Sequence, residues 1–201
     1  MKKLVKRNLF LISKNFYLCI FYILTIVTML FLKEDAFTFL VFFIPAMTSI
    51  SASAIEKFDS KNYKITFSMP VIRNEFANTK AVTLLLLVGV NAAVSLITYI
   101  IAVLSGKVEI LPFSLLVLGL SFSYLLSMLG GGLALTAGDK RPNYIYIILF
   151  IIIFDNMNIP SFVLGNDILI YLISVIFLAI GRTVYVIAKE NILRICLEME
   201  F

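Results

Sequence analysis

The chain has 201 residues, 61% hydrophobic and 14% charged, with a formal net charge of +5 and a mean hydropathy of +1.03. Soluble domains are typically about 45–50% apolar and about 25% charged, so this composition excludes an ordinary aqueous fold. The chain contains no histidine, the commonest metal ligand and general base. We therefore predict an all-α membrane protein with no catalytic residue and no metal site.

Six apolar stretches reach or approach the roughly 20 residues that a helix needs to cross the hydrocarbon core. In chain order they are 16–32, 37–54, 81–104, 111–137, 144–154 and 168–188. Ahead of the first, residues 1–15 alternate apolar and basic side chains at helical spacing. That pattern predicts an amphipathic helix at the membrane interface, with a plain basic flank as the alternative.

The fifth stretch is shorter than the others. It runs from 144 to 154 and continues into the polar segment 155–167, which contains Pro160. A short apolar run that ends in a polar, proline-containing stretch predicts a broken or re-entrant element on the outer side. The alternative is a short helix followed by an ordinary outer loop.

Charge placement sets the orientation. Of the 17 Lys and Arg residues, only Lys33 and Lys107 fall in the connections on one side, and the others border the stretches on the opposite side. By the positive-inside rule the basic side is cytoplasmic, and both termini lie there. The net charge is thus a topology signal for a multi-pass protein of a bacterial cytoplasmic membrane. It does not indicate nucleic-acid binding, because no basic face stands apart from the membrane.

Small residues recur every fourth position along the fourth stretch. They are Gly119, Ser123, Ser127 and Gly131. Such a stripe lies on one helix face and lets another helix approach closely. It predicts packing between helices or subunits, either static or as a moving interface.

Two polar residues of the third stretch are candidates for a substrate path. Asn91 and Tyr99 lie within an apolar run, where polar groups normally face protein or water rather than lipid. Enzyme signatures are absent. Without a G-x-x-x-x-G-K-[ST] motif the chain cannot cradle ATP phosphates in that way, so we expect no cofactor in this chain and no enzymatic activity of its own.

The loop 55–80 is the only sizeable segment predicted to lie outside the membrane. It carries apolar side chains, including Met69, Val71 and Phe76, in an aqueous setting, and these need a covering surface. Pro70 fits a helix start, with Ser68 as a possible cap. A short helix from about Pro70 would continue directly into the third stretch. It would dock on a cytosolic protein or, alternatively, lie on the membrane surface.

Residues 68–76, Ser-Met-Pro-Val-Ile-Arg-Asn-Glu-Phe, resemble the S-[LM]-P-V-x-R-x-E segment of small type-2 ATP-binding-cassette (ABC) exporter permeases. Glu56 and Lys80 match an acidic and a basic residue that often flank this loop in the family. The resemblance implies a single six-helix permease domain over 1–201, with an interface helix at 1–15 and the loop 55–80 coupling it to an ATPase. The implied ATPase-contact residues are Glu56, Ser68, Met69, Pro70, Val71, Arg73, Glu75 and Phe76.

The resemblance also implies partners. A second copy or a paralogous permease subunit would complete the membrane unit, and separate cytosolic ATPase subunits would bind ATP and Mg. Amphipathic peptides, antimicrobials or other lipophilic compounds are the expected substrates. Two alternatives differ in class. A non-transporting immunity or assembly protein would need no ATPase, and the substrate-binding subunit of a vitamin importer would have small-residue spacing in its first helix.

Overall fold

In the computed structural model, residues 5–8, 10, 20, 23, 27, 41, 43–56, 73–106, 110–136 and 166–198 are described. All regular structure in these residues is helical. Three long helices are α1 (Arg73–Leu104), α2 (Phe113–Thr136) and α3 (Asp167–Glu198). Residues 43–56 are also helical and form what we call the 43–56 segment.

Each of the three long helices contains an apolar span long enough to cross a bilayer. Within the described residues these spans are Glu75–Leu104, Phe113–Leu135 and Asp167–Arg194. They correspond to the third, fourth and sixth predicted stretches, so the all-helical membrane architecture is confirmed for this part of the chain. The predicted fifth stretch and the outer segment 155–167, apart from its last two residues, lie outside the described residues. The count of six spans and the cytoplasmic location of the termini therefore stay predictions.

Helix α1 is longer than its apolar stretch. It begins at Arg73, about two turns before Ala81, and continues without interruption to Leu104. Its 32 residues span about 48 Å at 1.5 Å per residue, whereas the hydrocarbon core is about 30 Å thick. The predicted continuation of a loop helix into the third membrane span is thus observed from Arg73 onward.

The turn between α1 and α2 is closed by backbone and side-chain hydrogen bonds. The Ser105 amide donates to the Ile101 carbonyl at 3.0 Å, and the Gly106 amide donates to Val103 at 2.9 Å. Gly106 has a φ of +67°, a left-handed conformation that glycine adopts without the Cβ clash of other residues and that commonly ends a helix. Beyond the turn, the Leu111 amide donates to the Tyr99 hydroxyl at 2.8 Å.

Replacing Tyr99 by Phe removes only the acceptor of this bond. We expect the free energy of unfolding to fall by about 1 kcal/mol and the Leu111 amide to exchange its hydrogen faster. Hydrogen exchange followed by mass spectrometry on protein in lipid nanodiscs measures the second effect. Tyr171→Phe on the exposed side of α3 is the control. Unchanged protection at Leu111 would show that the hydroxyl does not hold the turn.

The helix directions follow from the residue pairs in contact. Thr48 meets Asn91, and Glu56 meets Lys80, so the 43–56 segment runs antiparallel to α1. Helices α2 and α3 run parallel. The Phe122 and Phe177 rings lie 5.0 Å apart, and Gly132 meets Ala188 farther toward the C-terminus of each helix. The end of α2 and the start of α3 consequently lie at opposite ends of the bundle.

Close approach of α2 and α3 depends on glycine. A Cβ at Gly181 would lie 2.7 Å from two ring carbons of Tyr124 and 3.3 Å from the Leu125 Cα, and a Cβ at Gly132 would lie 2.9 Å from that of Ala188. Such separations are shorter than side chains tolerate without movement. On its other side, α3 exposes large apolar side chains, including Ile168, Leu172, Val175 and Val186, as expected of a surface covered by lipid or by another membrane chain.

Candidate functional site

A buried ion pair lies where the 43–56 segment ends and α1 begins. The Lys80 Nζ donates to the Glu56 Oε2, and their side chains are only 2% and 7% exposed. Charged side chains are rarely this buried unless they are paired, because removing an ion from water is costly. The pair joins residues that are 24 positions apart in sequence, so it connects the two ends of the intervening loop.

An aromatic ring covers the same ammonium group. The Nζ of Lys80 lies 5.0 Å from the centroid of the Phe76 ring, within the range of a cation–π interaction. Phe76 is one helical turn before Lys80, so both side chains project from one face of α1. Phe76 is 1% exposed and belongs to the main hydrophobic core. The start of α1 is thus held inside the bundle by apolar packing as well as by charge.

The N-terminal region reaches the same end of α1 through a chain of hydrogen bonds. Arg7 Nη2 donates to Asn8 Oδ1 at 2.9 Å, and Asn8 Nδ2 donates to Thr83 Oγ1 at 3.3 Å. Thr83 in turn donates to the Thr79 carbonyl at 2.7 Å. Asn8 is 1% exposed. Three parts of the chain, namely residues 5–8, the 43–56 segment and the start of α1, therefore meet here.

The predicted ATPase-contact residues fall into three groups. Ser68, Met69, Pro70 and Val71 lie outside the described residues, and Arg73 is described only as the first residue of α1. Glu75 is exposed. Glu56 and Phe76, in contrast, contact the chain itself. Their direct contact with an ATPase stays a prediction, and the structure gives both side chains an interior role.

A second group of polar side chains lies deeper in the bundle. Asn91 Nδ2 donates to Thr48 Oγ1 at 3.0 Å, and Thr48 donates to the Ile44 carbonyl at 2.7 Å. Asn91 and Thr48 are both fully buried. A Cβ at Gly131 would overlap Leu84 Cδ1 and would lie 3.3 Å from Thr48 Cγ2, so α2 approaches the same point. Asn91 thus links α1 to the 43–56 segment close to where α2 packs.

The residues of the small-residue stripe share one environment. All four members, Gly119, Ser123, Ser127 and Gly131, are buried. The Ser127 hydroxyl lacks a hydrogen-bond partner, as do those of Ser49, Ser51 and Ser95 within the described part of the chain. Buried hydroxyls are usually paired, so these four serines differ from other buried hydroxyls of the described residues, such as those of Thr48 and Ser174, which donate to carbonyls of their own helices.

The two predicted substrate-path residues are not brought together. Tyr99 lies about two turns beyond Asn91 along α1, roughly 12 Å away, and its hydroxyl accepts the bond from Leu111 that closes the turn. No group of three His, Cys, Asp or Glu side chains within the described residues lies close enough to hold a metal ion. Asn91 bonds to the 43–56 segment and Tyr99 bonds at the end of α1, and a role of either residue in a substrate path stays a prediction.

Sequence reasoning identified Glu56 and Lys80 but did not pair them. The available signal was their position, since opposite charges border the second and third apolar stretches on the same predicted side. The bond between Asn8 and Thr83 carried no comparable signal, because Asn8 lies in a basic segment that was predicted to be an amphipathic helix at the membrane interface.

The whole sequence was compared with curated proteins, solved structures and protein-family models. No curated protein and no solved structure matches it. A family model described as "ABC-2 family transporter protein" matches residues 3–190. The match covers nearly all of the sequence and includes α1, α2 and all of α3 except its last turns after residue 190. The three apolar spans fit a membrane-integral protein. The chain therefore belongs to the ABC-2 transporter family, as the resemblance of residues 68–76 predicted.

Proposed function

We propose that this chain is the permease subunit of an ATP-driven exporter, in which separate cytosolic ATPase subunits dock on the loop 55–80. One observation carries the proposal. Helix α1 is a single unbroken helix from Arg73, within that loop, to Leu104 at the far end of the apolar span. A displacement of its first turn would be transmitted along the whole helix, because an unbroken helix moves as a rigid rod.

The first turn of α1 has the chemistry of a docking point. Glu75 is exposed. It lies in the first turn of α1, where the positive end of the helix dipole stabilises a negative side chain. Together with Arg73 it offers one negative and one positive group for charge-assisted hydrogen bonds to a protein surface. The neighbouring Phe76 and Lys80 face inward, so a partner would touch one side of the helix while the bundle holds the other.

The proposed transport unit contains two permease subunits, either two copies of this chain or this chain and a paralogue. The apolar outer face of α3 supports a large contact within the membrane. Amphipathic peptides, antimicrobials and other lipophilic compounds are the proposed substrates, in keeping with an interior that is mostly apolar and carries a few polar groups around Asn91.

Purification of the tagged chain from its native membrane tests the proposal. We expect an ATPase with a P-loop to co-purify with the wild type, and at least about tenfold less of it with Arg73→Ala/Glu75→Ala. Truncating one partner of a charge pair that is buried in an interface costs about 2 kcal/mol or more. Lys189→Ala/Glu190→Ala is the matched control, since it removes two exposed charges from α3.

The results of this purification distinguish a transporter subunit from a non-transporting membrane protein. Equal recovery of the ATPase with both variants would keep the permease but remove Arg73 and Glu75 from the contact. Absence of any ATPase from complexes that retain lipid and other membrane partners would contradict the transporter proposal and favour a non-transporting immunity or assembly protein.

A further inference from the structure

The ion pair between Glu56 and Lys80 lies at the base of the loop 55–80. Glu56 is the last described residue of the 43–56 segment, and Lys80 lies two turns into α1. Both are buried, and the Phe76 ring covers the ammonium group. In the described structure this is the point at which the two membrane-entering ends of the loop are joined by charge.

We propose that Glu56 and Lys80 are a positioning pair that ties the 43–56 segment to α1, so that a force applied to the loop moves both helices together. The inference rests on the proposed function for the source of the force, whereas the tie itself is a property of the free chain. It gives Glu56 a role inside the permease, different from the ATPase contact that the sequence resemblance implies.

The chemistry of the pair indicates that it links the two helices and does not only fill space between them. Two apolar side chains of similar size would fill the same space without the cost of removing charges from water. An ion pair in a low-dielectric site resists separation more strongly than apolar contact does, since its Coulomb energy rises steeply as water is excluded. The pair is also directional, because its hydrogen bond fixes the register between the two helices.

The second contact between the same two helices defines what would move. Asn91 binds Thr48 about three turns farther along α1. With contacts at both levels, the 43–56 segment cannot slide or rotate relative to α1 without breaking one of them. Loss of the ion pair would leave the deeper hydrogen bond as a pivot and release the loop end.

The first experiment examines the free chain in lipid nanodiscs by hydrogen exchange. The double variant Glu56→Gln/Lys80→Met removes both charges without leaving either one buried alone. We expect amides 52–56 and 76–80 to exchange at least ten times faster than in the wild type, with α2 unchanged. Glu75→Gln, which alters an exposed carboxylate on the same helix, should leave all rates as they were. Wild-type rates in the double variant would overturn the tie.

The second experiment asks whether the two helices respond together. In the complex with the co-purified ATPase, addition of ATP and vanadate should change exchange at both 52–56 and 76–80 in the wild type. In Glu56→Gln/Lys80→Met only 76–80 should respond. A variant with Glu56→Cys and Lys80→Cys, in a background with Cys19 and Cys196 replaced by Ser, should regain the joint response after cross-linking with a short bifunctional thiol reagent.

These outcomes distinguish the link between the two helices from its role in coupling to the ATPase. A joint response that persists in the uncharged and the uncross-linked variants, or that cross-linking fails to restore, would overturn the positioning role. Failure to recover any ATPase would remove the proposed function, and the coupling role with it, while exchange in the free chain would still decide whether the pair ties the helices.

Discussion

Glu56→Ala should lower the free energy of unfolding by about 3–5 kcal/mol, the usual cost of removing one partner from a buried ion pair. The substitution leaves the ammonium group of Lys80, 2% exposed, without its carboxylate. The effect can be measured as a fall in the midpoint of thermal denaturation in a mild detergent, with Glu75→Ala, an exposed carboxylate on the same helix, as the control.

A companion variant separates charge from packing. Glu56→Gln/Lys80→Met removes both charges and keeps most of the side-chain volume, so it should recover most of the stability lost in Glu56→Ala. Equal stability of Glu56→Ala and Glu75→Ala would mean that water reaches the pair, and that the burial of Lys80 does not persist in the detergent-solubilised protein.

Gly181→Ala should cost about 1–3 kcal/mol, the typical penalty for overfilling a packed site. The added methyl group would lie 2.7 Å from the Tyr124 ring and 3.3 Å from the Leu125 Cα, which belongs to the backbone and cannot rotate away. The expected loss arises even though Ala is the better helix former by about 1 kcal/mol. The measurement is again thermal denaturation, followed by loss of helical signal.

The chain offers a matched control at Gly89. A Cβ there has nothing within 4 Å, and the residue is exposed. Gly89→Ala should therefore be neutral or stabilise the protein by up to about 1 kcal/mol. Adding Tyr124→Ala to Gly181→Ala should relieve the overlap, so the two substitutions should be non-additive. Equal effects at Gly89 and Gly181 would show that α2 and α3 are not in close contact.

Hydropathy predicted the apolar parts of the described helices well and their ends less well. The third stretch ends with α1 at Leu104, because Ser105 and Gly106 end both the helix and the apolar run. The fourth stretch ends within one residue of the end of α2. The sixth stretch ends at Ala188, whereas α3 continues to Glu198. Backbone hydrogen bonds do not need lipid, and the charged residues that follow Ala188 include good helix formers such as Glu190 and Arg194.

The two charged residues of the candidate site could be identified from the sequence, but their contact with each other could not. Both Glu56 and Lys80 were named from the sequence, and the structure turns both inward. Hydropathy and motif spacing record where a charge lies along the chain, but they carry no information on which charges meet across helices. The same limit applies to Asn91. Its polarity within an apolar run predicted an interior position, but its bond to Thr48 depends on how the two helices pack.

The distance along the chain between Glu56 and Lys80 also has a consequence for biogenesis. Lys80 lies 24 positions after Glu56 in the sequence. Because the ribosome adds about 5–20 residues per second, Lys80 is added roughly 1–5 s after Glu56. Glu56 therefore leaves the ribosome before the lysine that it contacts in the folded chain. The contact that this pair makes between the 43–56 segment and α1 can therefore form only after the start of α1 has been synthesised.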